Sequence, residues 1–95
     1  MSYYFLAQIR IHDEGEYQLY LDRADEVFAR YKGRYLAVDN SPEIQEGKWG
    51  YNRAVVIQFE SRKDFMEWYN SKDYQEILKF RLKAADCDSI LVKGK

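Results

Sequence analysis

Aromatic and β-branched residues run from Tyr3 to Ile11 and predict a strand. Phe5, Ala7, Ile9 and Ile11 fall on one face of it; Tyr4, Leu6, Gln8 and Arg10 fall on the other. The period then changes. Tyr17, Tyr20, Leu21, Ala24, Val27 and Phe28 recur at spacings of three and four, and the pattern continues to Tyr31. That is the apolar stripe of an amphipathic helix, with Asp22, Arg23, Asp25, Glu26 and Arg30 on its solvated side. Asp13 and Glu16 stand at capping-box spacing and open the helix. Gly33 is expected to end it as a left-handed residue.

A second strand is predicted over Arg34 to Asp39, broken by Asn40-Ser41-Pro42, and a loop follows from Glu43 to Asn52. Arg53 to Phe59 is the clearest strand, centred on Val55-Val56-Ile57. Ser61 and Asp64 start another helix, with Phe65, Trp68 and Tyr69 on its apolar face. Asn70-Ser71 interrupts it, and Ser71 can cap a further helical segment. There Tyr74, Ile77, Leu78, Arg81, Leu82 and Ala85 share a face. Ser89 to Lys93 is the last predicted strand. The order β-α-β-β-α-β predicts an α+β, ferredoxin-like domain over residues 1–95. Its four-stranded antiparallel sheet has the expected order 4-1-3-2, with the helices on one face. Phe5 to Tyr20 and Val55 to Tyr69 repeat the same strand, cap and aromatic-faced helix.

The sheet has a second face, and it is too apolar for water. Leu6, Val56 and Leu91, with Leu36 or Val38, are expected there. A second copy packed sheet to sheet around a twofold axis covers them, so a homodimer resembling an eight-stranded barrel is expected.

The chain has 95 residues, 46 % of them hydrophobic and 17 % aromatic, enough apolar surface for a core. Its formal charge of −1 offers no general attraction for nucleic acid or an anionic membrane, and neither is expected as a partner. Met1 is followed by Ser2-Tyr3-Tyr4 with no basic stretch, so no secretory signal is expected, and no apolar run approaches the roughly 20 residues that span a bilayer. A cytoplasmic setting is expected. Cys87 is the only cysteine, so no intrachain disulfide can form. Asp86 and Asp88 beside it should raise its pKa.

Topology gathers the unusual residues. The end of the first strand, the start of the first helix, the loop after the second strand and the end of the last helix share one end of the domain. His12, Tyr17, Tyr20, Trp49, Arg53 and Arg81 are all expected there. Arg81 is the sharpest signal, because it interrupts an apolar helix face. A buried guanidinium needs a protein carboxylate, backbone carbonyls or a bound anion. His12 is the only histidine and the candidate for proton transfer; exposure at a strand-to-helix junction is the plainer alternative. Trp49, flanked by Gly47 and Gly50, could close over a ligand or pack on the dimer partner. The helix-face tyrosines can be core, or they can enclose a cavity with polar tips. No metal-ligand spacing, phosphate loop, nucleophile elbow or dinucleotide fingerprint is present, so no cofactor and no metal are expected.

Several segments resemble one family. They are Tyr31-Lys32-Gly33-Arg34-Tyr35-Leu36, Glu46-Gly47-Lys48-Trp49, Arg53 through Phe59 with Ser61, and above all Trp68-Tyr69-Asn70-Ser71-Lys72-Asp73-Tyr74-Gln75. Arg81 and Ala84-Ala85-Asp86 follow in register. Together they resemble the DUF1330 family of the dimeric α+β-barrel superfamily over nearly the whole chain. The chain departs from the family pattern at Asp39-Asn40, Lys48 and Tyr51. The resemblance implies a ferredoxin-like subunit and a barrel dimer; it implies no particular reaction. The superfamily includes cofactor-free oxygenases, haem-handling enzymes, isomerases and non-catalytic domains. Haem fits poorly, since His12 is the only histidine available as a ligand.

The expectation is a homodimer that binds a small anionic or aromatic molecule between helices and sheet. Arg81 and Arg53 would hold the anionic group, Trp49 and Tyr20 would form walls with Tyr17 close by, and His12 would move a proton. A cofactor-independent oxygenase or isomerase step is the chemistry such a pocket suits. The alternative is a non-catalytic dimerisation or sensing module, with the cleft filled and Arg81 paired internally.

Overall fold

The computed structural model describes residues 2–95. Its elements are β1 (Tyr3–Ile11), α1 (Glu14–Phe28), β2 (Arg34–Asp39), β3 (Arg53–Phe59), α2 (Arg62–Tyr69), α3 (Lys72–Ala84) and β4 (Ala85–Lys93). The four strands form one antiparallel sheet in the order β2-β3-β1-β4, which is the expected order read from the other edge. Phe5, Ala7 and Ile9 of β1 and Val55, Ile57 and Phe59 of β3 are buried under the helices, as period-two alternation requires. Trp68 of α2 fills the centre. It stacks on Phe59 at 5.6 Å and meets Phe28 edge-on at 5.5 Å.

The predicted caps form. Asp13 accepts from the Glu16 N–H at 3.1 Å, and the Ser61 hydroxyl accepts from the Asp64 N–H at 3.0 Å. Glu16 does not reach back to close the box; its carboxylate turns to Lys83, 3.6 Å away. Ser71 does two jobs. Its hydroxyl donates to the Trp68 carbonyl at 2.6 Å and accepts from the Tyr74 N–H at 3.2 Å, joining the end of α2 to the start of α3. That junction brings the Trp68 and Tyr74 rings to 4.2 Å.

Four local expectations are corrected. First, α1 ends at Phe28, not near Gly33; two tighter turns follow, with Arg30 N–H donating to Val27 and Tyr31 N–H to Phe28. Tyr31 lies outside the helix, and its hydroxyl donates to Asp73 at 2.7 Å. Gly33 has no left-handed backbone; among the described residues Gly47 alone has a positive φ, 78°. Gly33 is needed for space, because a Cβ there would sit 2.6 Å from ring carbons of both Phe28 and Phe59. Gly33→Ala is therefore expected to lower stability by about 1–3 kcal/mol through overpacking, read as a lower denaturant midpoint at unchanged slope.

Second, β4 begins at Ala85, four residues before Ser89. Asp86 pairs in register with Arg10 and forms an ion pair with it, so charged residues continue the edge strand. Third, Leu91 lies opposite Phe5 and packs against the core; Ile90 and Val92 are its neighbours on the other face. A register shift between Tyr35 and Ala37 also puts Val38 opposite Val55, on the helix side. Fourth, Leu82 is 56 % exposed, and Ala85 is buried as a strand residue rather than in the helix.

The uncovered face carries an apolar patch, though its membership differs from the expected one. Leu6 lies between Val56 and Ile90, and Tyr4 lies beside Val92. Ile90 is 60 % exposed.

Candidate functional site

The helix side of the sheet is not filled by side chains throughout. A cavity of about 510 Å³ lies between α1, α3, Trp68 and the strands β1, β2 and β3. That is within the usual range for small-molecule sites, roughly 300–1,000 Å³. Its floor is Phe5, Ala7, Ile9, Val55 and Ile57, and its aromatic wall includes Tyr17, Tyr20, Tyr35, Trp68 and Tyr74. Arg53, Arg81 and Asp25 line it as well. A second cavity of about 310 Å³ shares Tyr17, Leu21 and Arg53 with the first and adds Asn40, Asn52, Gln18 and Glu14.

Arg81 comes from the buried face of α3 and is 3 % exposed. It forms no salt bridge among the described residues, and its buried Nε has no hydrogen-bond partner. The guanidinium carbon lies 5.7 Å from the centre of the Tyr20 ring. A cation–π contact offsets only part of the loss of water, on the order of 2 kcal/mol when desolvated. The loss itself is several kcal/mol, and arginine keeps its charge when buried.

Arg53, at the start of β3, repeats the arrangement. Its guanidinium carbon is 5.6 Å from the Tyr17 ring centre, one NH₂ group donates to Asn40 Oδ1 at 2.7 Å, and its buried Nε has no partner. The spacing along α1 explains the pairing. Tyr17 and Tyr20 are three residues apart on one helix face, with ring centres 5.6 Å apart. Each offers its face to a different arginine.

The tyrosines are acids held neutral. Burial pushes the Tyr17 hydroxyl up to about 12, partly opposed by Arg53. Burial likewise raises Tyr20, Tyr35 and Tyr74. The Tyr20 and Tyr74 hydroxyls lie 2.9 Å apart, so one donates to the other and one proton remains to offer. Trp68 Nε1 is buried without a partner as well. Arginine, indole and hydroxyl donors thus exceed acceptors around the cavity. Such a lining presents positive charge and hydrogen-bond donors to the cavity and supplies no strong base.

The raised tyrosines carry a pH prediction. A folded-state pKa above the unfolded value of 10.0 leaves stability intact below pH 10. Stability is then lost as pH rises toward about 12, by about 2–3 kcal/mol for Tyr17 alone. Denaturant melts across that range should show the fall, with phenolate absorbance developing together with unfolding.

Four of the six residues expected at this end meet at the cavity: Tyr17, Tyr20, Arg53 and Arg81. His12 does not. It is exposed, its backbone N–H donates to the Ala84 carbonyl, and it follows Ile11 on the opposite parity of the chain from the core-facing residues. Trp49 also lies elsewhere. Its ring packs edge-on against Tyr51 at 5.4 Å, and the Tyr51 hydroxyl donates to Asp88. Asp88 is the register partner of Gln8, on the uncovered side of the sheet. The loop is drawn that way rather than over the cavity.

Tyr74 lines the cavity as one of the helix-face tyrosines, and Trp68 and Tyr35 line it too. Only the register and the helix pairing put them there. Asp25 reaches its rim, although its place in a charge run reads as plain surface. Asn52 clamps the end of β1 by accepting from the Ile11 N–H at 2.8 Å and donating to its carbonyl at 3.1 Å. Cys87 lies opposite Ile9; burial, ahead of the flanking aspartates, pushes its thiol up. No cluster of metal-ligating residues occurs among the described residues, and no helix there is long and apolar enough to cross a membrane.

Solved structures share this fold. A Rhodopseudomonas palustris protein of unknown function matches with a TM-score of 0.81 at 19 % identity, covering 99 % of this chain and 82 % of that one. SnoaB, a cofactor-independent oxygenase from Streptomyces nogalater, matches with a TM-score of 0.72 at 12 % identity, covering 99 % and 93 %. A dimeric ferredoxin-like protein of unknown function from Thermobifida fusca matches with a TM-score of 0.72 at 16 % identity, covering 99 % and 92 %. At these identities the likeness is one of fold. No curated protein matches the sequence. The family model for DUF1330, a domain of unknown function, matches residues 2–95, and the chain belongs to that family.

Proposed function

We propose that this protein binds a small aromatic anion in the cavity between helices and sheet. One observation carries the reading. Arg81 is buried and unpaired at a cavity walled by aromatic rings. A bound carboxylate or phenolate would supply the missing partner bidentately. Tyr17 and Tyr20 would form the wall, and Arg53 would add a second positive charge.

Chemistry follows as the second part of the same reading. Two fixed cations and several neutral donors would stabilise an enolate or phenolate on the substrate, with no cofactor required. This is the charge distribution that a cofactor-independent oxygenase or isomerase would use, and SnoaB gives the fold one such precedent. His12 stands away from the cavity, so the base would be the solvent or the rim carboxylate of Asp25 rather than that histidine.

The assembly we propose is a homodimer through the uncovered sheet face. Leu6, Val56, Ile90 and Val92 support it, as do neighbours described as dimeric. The test of the ligand reading is calorimetric titration with benzoate, with benzamide as the neutral control. Benzoate is expected to bind and to raise the melting temperature, and benzamide is not. Equal binding of the two, or none by either, would rule against an anion site.

A further inference from the structure

We infer that the ligand carries two acidic groups on one aromatic ring, one held inside the cavity by Arg81 and the other at its neck by Arg53. The inference rests on the anion reading above and sharpens it. Both guanidiniums line the larger cavity, but they are set differently within it. Arg81 lines only the larger cavity, whereas Arg53 lines both cavities together with Tyr17 and Leu21, which marks it as the neck. Each cation lies over its own tyrosine, 5.7 Å from Tyr20 for Arg81 and 5.6 Å from Tyr17 for Arg53.

Each also has its own deficit. The Nε atoms of both arginines are buried and without partners. Asn40 satisfies one NH₂ group of Arg53 but brings no charge. Asp25 lines the larger cavity and Glu14 the outer one; both are exposed to water, and neither forms an ion pair with either arginine. A monoacid on Arg81 would leave the Arg53 deficit in place. A diacid would meet both. Tyr17 and Tyr20, with ring centres 5.6 Å apart, connect the two cations along an aromatic wall, and a planar ring suits it better than a flexible chain. Positive potential from both ends would favour such a dianion over a monoanion.

The experiment is calorimetric titration of the full chain, at low salt, with benzoate and the ortho, meta and para benzenedicarboxylates. At least one isomer is expected to bind about tenfold or more tightly than benzoate, the scale of one added charge-assisted contact. Arg53→Gln is expected to erase that margin, leaving the dicarboxylate no tighter than benzoate, while benzoate itself loses less affinity than the dicarboxylate does. Arg53→Lys should keep part of the margin, and a thermal melt of each variant separates lost binding from lost folding. No margin for any isomer would overturn the inference while leaving the anion reading standing. So would an equal loss of benzoate and dicarboxylate binding in Arg53→Gln, since both arginines would then hold one group. Failure of all four acids to bind would remove the anion reading itself.

Discussion

Arg81→Met is expected to weaken benzoate binding by about 100-fold or more and, at the same time, to raise the melting temperature. The two effects have one cause. Truncating one partner of a buried charge pair typically costs about 2–5 kcal/mol of binding. In the free protein, however, the guanidinium is a charge removed from water with no carboxylate against it. Methionine has similar length, packs against Leu78 and the aromatic wall, and carries no desolvation cost. Replacing buried ionic groups by apolar ones is often neutral or stabilising by about 1–4 kcal/mol. For a chain of this size 1 kcal/mol moves the melting temperature by about 4–8 °C. Arg81→Lys keeps the charge but loses the fork, and should lie between wild type and Met in affinity. A fall in stability for Arg81→Met would instead assign the guanidinium a structural role and remove it from the site.

Leu6→Asp is expected to convert a dimer to a monomer. Leu6 sits at the centre of the uncovered face, in register with Val56 on one side and Ile90 on the other. In a twofold interface each substitution occurs twice, so two carboxylates would be buried without partners. The dissociation constant should rise by about 1,000-fold or more, on the order of 4 kcal/mol. Sedimentation or native mass spectrometry would show the loss of the species at twice the chain mass. The core lies on the other side of the sheet, so circular dichroism should remain that of the folded chain. A wild type that is monomeric at micromolar concentration would defeat the dimer directly.

Strand and helix identities were legible in the residues because period and caps are local. Asp13, Ser61 and Ser71 accept from the N–H groups three residues on, as their spacing requires. Where local signals were misread, a contact distant in sequence decided. Gly33 is glycine because Phe59 and Phe28 occupy the space beside it, not because a helix needs a left-handed end. The early start of β4 depends on β1, since Arg10 is what Asp86 pairs with. Leu91 changes faces because its register partner is Phe5. The bulge at Tyr35 to Ala37 turns Val38 toward the helices, and alternation alone cannot show a bulge.

The site divides in the same way. By itself the chain determined that Arg81 lies on an apolar helix face and that Tyr17 and Tyr20 share another, because helical periodicity follows from spacing. It also determined that Arg53 opens a strand at the same end. The absence of a carboxylate beside Arg81, the cavity before it, and the pairing of each arginine with its own tyrosine belong to the tertiary structure. So does the exclusion of His12 and Trp49 from that cavity. The physical reason is that burial and partnership are properties of surfaces brought together from distant segments. An unpaired guanidinium is recognised only when every neighbour that could have paired with it is in place.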